Sequence, residues 1–351
     1  MTLLESIPHV KSSTPSFTAI GDDSHVGRGV AVALVALVAI GLMGLPVVAD
    51  DYLLRIVGGA AILAIATMGF NVTFGAAGQI NLAIAAFFGV GAYTTGLLAT
   101  RTDVPSWIAC LLGMTLAGLS ACLVAIPTSR LRGLYLAMAT LALNQAAIAF
   151  AVHATSITNG SIGISSIPRP YIAGGAVALR DHYYLIVAIG FLVFILMSAL
   201  LRSRPGRASV AVREDEVLAR SLGIRARHYK VATFVIGSVV ASLAGSLYAQ
   251  FYGFISPGAF DVTLSIQILS MAVIGGLGST TGAVIGAFVI ALLPPVIVNR
   301  LPDDTLNVGL YESLIYAVAV FVVLLWAPRG IVGMFDRASG GLASRLRREG
   351  T

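Results

Sequence analysis

Charge is what this sequence lacks most. Asp, Glu, Lys and Arg make up only 11% of its 351 residues, against about 25% in an average soluble domain. With 57% hydrophobic residues, a soluble fold would have too few polar groups to cover its surface. Lysine is scarcer still. Lys11 and Lys230 are the only two, and neither follows a glycine. The pattern G-x-x-x-x-G-K-[ST], whose lysine holds nucleotide phosphates, is therefore absent. Cysteine is limited to Cys110 and Cys122, which fall in one expected helix about 18 Å apart along its axis, too far for a disulfide. The apolar runs hold almost no ionisable residue. Glu312 is the nearest to an intramembrane carboxylate, and His153 sits at a run's end as an interfacial polar residue. Ion-driven transport needs buried acids, histidines or cations to bind the driving ion, so the energy source is expected outside this chain. No catalytic residue, metal set or cofactor site stands out.

What is present is hydrocarbon and glycine. Apolar runs of 18 or more residues recur, each long enough to cross a bilayer core of about 30 Å. The 38 glycines suit helices whose backbones approach closely in lipid. The sequence predicts an all-α polytopic membrane protein of about ten transmembrane helices, at 29–49, 53–72, 84–100, 104–127, 133–153, 182–201, 230–252, 263–280, 282–299 and 310–327. Residues 1–28 are read as a polar cytoplasmic tail without a cleaved signal peptide. Residues 29–330 form the transmembrane domain and 331–351 a basic cytoplasmic tail. Of the 22 lysines and arginines, all but Arg55, Arg101, Arg169, Arg180 and Arg300 fall in one alternating set of loops. The positive-inside rule puts that set, and both termini, in the cytoplasm. The net charge of +6 follows from topology and does not point to nucleic acid. Trp107, Tyr183, Tyr184 and Tyr311 are expected near the outer interface and Trp326 near the inner one.

Three segments carry candidate function. The loop 202–230, RSRPGRASVAVREDEVLARSLGIRARHYK, is expected to hold one helix over 208–222. Pro205 and Gly206 end the preceding span, and Gly223 closes the helix. Val210, Val217, Leu218 and Leu222 can share an apolar side. Such a helix could lie on lipid or dock on a soluble ATPase. The acidic trio Glu214, Asp215 and Glu216 favours a protein partner, since anionic lipid would repel it. The segment 71–81 puts Asn71, Gln79 and Asn81 among glycines at apparent membrane depth. Backbone there must line a cavity or be buried in protein, which makes these three residues candidates for a translocation path; a cytoplasmic turn is the plainer alternative. Two small-residue strips, Gly237, Ala241, Gly245, Ala249 and Gly278, Gly282, Gly286, suit close helix packing, within this subunit in preference to a subunit interface. Thr158–Ser161 and Ile167–Pro170 lie in a long external loop, either solvated or open to a binding protein.

Several segments, in order from about residue 69, resemble branched-chain amino-acid ABC permeases of the LivM type. They are NLAIAAFFGVGAYTTGLL (81–98), RLRGLYLAMATLAL (130–143), TNGSIGISSIPRP (158–170), YGFISPGAFDVTLSIQILSMAVIGGLGSTTGAVIGA (252–287), APRGIVG (327–333) and the loop from Arg213 to Ile224. Importer coupling motifs start Glu-Ala-Ala, with a glycine four residues after the second alanine. Here those three positions are Val217, Leu218 and Ala219, so only Ala219 and Gly223 fit. The resemblance implies a permease subunit in the bacterial inner membrane, working with a second permease subunit as a heterodimer. It also implies two cytoplasmic ATPases that bind ATP and Mg, and a periplasmic substrate-binding protein. Arg213, Glu214, Asp215, Glu216, Ala219, Arg220 and Gly223 would then couple to the ATPase. Rival readings are a permease for urea or short-chain amides, a standalone secondary transporter or channel, and a non-transporting scaffold.

Overall fold

The computed structural model describes Gly44, Pro46 and residues 50–298 apart from Asp103, Arg132, Ala173, Gly174 and Val177. Apart from Gly44 and Pro46, the expected spans 29–49 and 310–327, both tails, and Tyr311, Glu312 and Trp326 lie outside the described residues. Among the described residues the regular structure is helical save for a two-residue antiparallel pairing of Tyr171–Ile172 with Gly175–Ala176. Apart from the single turn Thr155–Thr158, the described α-helices are α1 (Asp51–Asn71), α2 (Ile84–Arg101), α3 (Ser106–Thr128), α4 (Leu134–His153), α5 (Leu179–Arg202), α6 (Arg204–Glu214), α7 (Glu216–Ser221), α8 (Ala226–Tyr252), α9 (Val262–Gly275) and α10 (Thr280–Val298).

Each expected span between 53 and 299 coincides with one of the longer helices, with ends moved by a few residues. The largest shift is at 263–280, where α9 stops at Gly275 because Gly276 takes a φ of 117° that few residues other than glycine adopt. Among the described residues, six helices are long and apolar enough to cross a membrane. α3 and α5 turn Leu116, Leu119 and Leu123, and Leu192, Ile195 and Leu196, outward, as surfaces solvated by hydrocarbon do. Trp107 is exposed at the start of α3, whereas Tyr183 is wholly buried. Tyr183 is therefore core and not the interfacial residue expected.

The central post is α8, which packs on α1, α2 and α3. Contact is backbone to backbone. A Cβ on Gly245 would overlap the carbonyl oxygen of Phe88 in α2, and one on Gly91 would overlap that of Ser242 in α8. The Ser246 hydroxyl also donates to the Gly91 carbonyl at 3.2 Å. The strip Gly237, Ala241, Gly245, Ala249 is thus buried inside the subunit, with Gly237 against the Gly69 carbonyl of α1. The second strip is different from the one expected. Gly282 and Gly286 lie on α10 against the backbone of Gly275 and Met271, but Gly278 is in the turn before the helix.

The expected single helix over 208–222 is two helices. Asp215 breaks it with φ −148° and ψ 105°, and its carboxylate caps α7 by accepting from Val217 N at 2.8 Å and Leu218 N at 3.0 Å. An aspartate with extended backbone and side-chain oxygens aimed at the next turn is a favoured N-cap. The preceding span ends as expected, but Pro205 and Gly206 lie in the first turn of α6, capped by the Ser203 hydroxyl on Gly206 N at 3.3 Å.

The loop between α4 and α5 is docked. Asn159, in the left-handed region with φ 60°, turns the chain. Ile164 then exchanges both backbone hydrogen bonds with Ile255 at 2.9 Å, and Ile167 N donates to Gly253 O at 3.1 Å.

Candidate functional site

Two features converge at the end of α1 that faces the 202–230 loop. The first is the loop itself. Arg213, near the end of α6, donates from Nη1 to the carbonyl of Gly75, and its stem lies over Gly78. Glu216 pairs with Arg220 at 2.5 Å and with Lys230 at 2.9 Å; the Glu216 and Lys230 side chains are 12% and 10% exposed. Ala219 is buried with Val212 and Ala226, which folds α7 back on α6 and the start of α8. Gly223 follows α7 with φ 80°. The acidic trio therefore divides. Asp215 caps, Glu216 braces Lys230, and Glu214 is left exposed on the surface. On α7, Val217, Leu218 and Leu222 are 72%, 58% and 72% exposed. Because Asp215 breaks the helix, Val210 lies on α6 and is not part of that patch.

The second feature is the segment after α1. The helix continues into one π-helical turn, Val72–Ala76, and then runs without helix to the start of α2. Such turns inside membrane proteins persist where neighbouring protein takes up the freed backbone groups. Here Asn71 does so. Its Nδ2 donates to Ser279 O at 2.8 Å and its Oδ1 accepts from Gly278 N at 2.9 Å, so both ends of the amide are engaged by the α9–α10 turn. Thr73 Oγ1 donates to Thr233 O in α8 at 3.1 Å. Beyond the turn, Leu82 N donates to Thr140 Oγ1 in α4 at 3.0 Å. Ser265 in α9 donates to Leu82 O at 2.8 Å and accepts from Ala85 N at 3.2 Å. Residues 79–85 are thus held between α4 and α9.

Within that held segment Asn81 is wholly buried and Gln79 is 5% exposed. Asn81 Oδ1 accepts from Ala83 N at 3.0 Å, while Asn81 Nδ2 and Gln79 Oε1 have no partner among the described residues. The segment therefore brings Gln79 and Asn81 together as buried polar groups, whereas Asn71 serves as a strut. Two residues escaped the sequence reading. Among the described residues, neither amide end of Asn144 in α4, which is wholly buried, has a partner. Nor does either nitrogen of His182, in the first turn of α5, which is wholly buried and T-shaped to Phe251 with ring centroids 5.5 Å apart. A lone polar residue within or at the end of an apolar run is the signal for both. Among the described residues no group of three or more His, Cys, Asp or Glu side chains comes together to hold a metal.

Known proteins share this sequence along most of its length. The high-affinity branched-chain amino acid transport system permease protein LivM of Escherichia coli K12 is 30% identical over 291 residues, covering 76% of this chain and 67% of that one. LivM of Salmonella typhimurium LT2 is 29% identical over 324 residues, covering 84% and 74%. LivH, the permease protein of the same name series in Escherichia coli K12, is 34% identical over 146 residues, covering 41% and 45%. A family model described as branched-chain amino acid transport system / permease component matches residues 52–327. With that match over most of its length, this multi-pass membrane protein belongs to the permease-component family of branched-chain amino acid transport systems.

Proposed function

We propose that this chain is a membrane-spanning permease subunit of a bacterial ABC importer. It carries branched-chain, hydrophobic amino acids across the inner membrane, using ATP hydrolysed by partner subunits. Relatives of two kinds, LivM and LivH, support pairing with a second permease subunit as a heterodimer. Two cytoplasmic ATPases binding ATP and Mg, and a periplasmic binding protein that selects substrate, complete the assembly. About ten helices, with both termini in the cytoplasm, fit the charge bias of the loops.

The observation that carries the reading is the Arg213–Gly75 hydrogen bond. It ties the loop to the turn that leads into Gln79 and Asn81, the proposed path. On the same loop, α7 presents Val217, Leu218 and Leu222 uncovered, a patch suited to a groove on a soluble protein. An ATPase moving α7 and α6 would move Arg213 with them. Asn71, clamped to the α9–α10 turn, resists from the other side. Glu214, Arg220 and Gly223 lie on the exposed side of the loop, where they would meet the ATPase, while Ala219 packs inward.

The experiment is purification through a tag on this chain, expressed with its native partners, followed by reconstitution. An ATPase should co-elute, and vesicles should concentrate leucine only when ATP and binding protein are supplied. A lone chain that concentrates leucine in an ion gradient would reject the reading in favour of a secondary transporter.

A further inference from the structure

Asn144 is the eleventh residue of the 20-residue helix α4, about 15 Å along a helix about 30 Å long. That is the midpoint of a helix long and apolar enough to cross a membrane, and no partner for its amide is found among the described residues. Thr140, one turn earlier on the same buried face, holds Leu82, the residue next to Asn81. Three carboxamides, from Gln79, Asn81 and Asn144, therefore lie on two elements stitched together at Thr140. Each is at least nine-tenths buried. A polar group without a partner in hydrocarbon is costly, and in a natural sequence such groups mark function.

Their free atoms form a matched set. Gln79 Oε1 and Asn144 Oδ1 are acceptors; Asn81 Nδ2 and Asn144 Nδ2 are donors. An α-amino acid zwitterion presents the complement, an ammonium that needs acceptors and a carboxylate that needs donors. Neutral amides can satisfy both ends without the tight grip of a full charge pair, which suits a site that must release its cargo. We propose that Asn144, Asn81 and Gln79 form an intramembrane site that hydrogen-bonds the zwitterionic end of the amino acid in transit. The proposal rests on the importer reading above and adds Asn144 and the ligand chemistry to it.

The test is radiolabelled leucine uptake into vesicles holding the complete complex, binding protein and ATP. Asn144→Leu is near in volume but lacks the amide. It should lower uptake at least tenfold while ATP hydrolysis stays within twofold of wild type. The complex should melt no earlier than wild type, because an unused amide has been removed from a buried site. Asn144→Ser, which keeps one donor and acceptor, should transport at an intermediate rate, and Gln79→Met should repeat the loss. Leucine uptake within twofold of wild type in Asn144→Leu overturns the site. So does a lower melting temperature in that variant, which would show the amide bracing the fold. A wild-type complex that hydrolyses ATP without concentrating leucine overturns the importer's substrate, and this site falls with it.

Discussion

Arg213 and Gly75, 138 residues apart in sequence, share a hydrogen bond from a guanidinium to a backbone carbonyl. The carbonyl belongs to the π-helical turn that ends α1. Behind it Gly75 sits against Asn71 Oδ1 and Gly278 N, so close that a side chain on Gly75 would displace them. One turn of chain is thus gripped by α6 on one side and by the α9–α10 turn on the other.

Removing the grip should uncouple the machine without dismantling it. A hydrogen bond from a charged donor contributes roughly 1.5–3 kcal/mol, and about 1.4 kcal/mol is a factor of ten in an equilibrium. In the proposed importer complex, Arg213→Ala should therefore leave ATP hydrolysis by the partner subunits near the wild-type rate but slow leucine uptake about tenfold. Arg213→Lys, with a shorter point-charge donor, should fall between. Equal loss of both activities in Arg213→Ala would refute the transmission role.

The glycine contacts of α8 give a sharp contrast. Gly245→Ala forces a methyl group into the Phe88 carbonyl, and overpacking of this kind costs about 1–3 kcal/mol or more. The variant should accumulate poorly in membranes and melt early. Gly258, with nothing within 4 Å of an added Cβ, should accept alanine without change in either measurement.

Asp215 offers a local test. Its carboxylate caps α7, and loss of a cap costs about 1 kcal/mol. In Asp215→Ala, hydrogen exchange at the Val217 and Leu218 amides should accelerate about fivefold. Exchange in α8 should not change, and affinity for the proposed ATPase partner should fall.

Glu216 and Lys230 are both largely sheltered. Leaving one member of a buried pair uncompensated costs roughly 3 kcal/mol. Glu216→Gln, which leaves Lys230 without its carboxylate, should destabilise the loop, measured by limited proteolysis near 215–225, and Lys230→Met, which leaves Glu216 its pair with Arg220, should destabilise it less. The double variant should be more resistant than the sum of the two predicts.

The long helices were legible because each apolar run reports its own burial in lipid, whatever it packs against. The loop 202–230 was legible for the converse reason, as a concentration of charge. What it does internally was not. Asp215 reads in sequence as one more acid in a charged run, and only its backbone angles and the two amides it caps reveal a break. Arg213 reads as a loop cation, and no local pattern points to a carbonyl 138 residues away. Gln79 and Asn81 stood out because polar residues cluster with glycine around them. Asn144 did not, since one amide barely lowers the hydropathy of a helix as apolar as α4. Gly278 was misplaced because a spacing of four suits a helix face equally well when its first member precedes the helix.

The meshing of Gly91 with Ser242 and of Gly245 with Phe88 limits how this protein can change shape. Helices that touch through carbonyl oxygens have no side-chain cushion to slide on. α1, α2 and α8 must then rock as one body during a transport cycle. α4, pinned through Thr140 to Leu82 at the entry to α2, travels with that body, and the hinge is left to whatever meets it lightly.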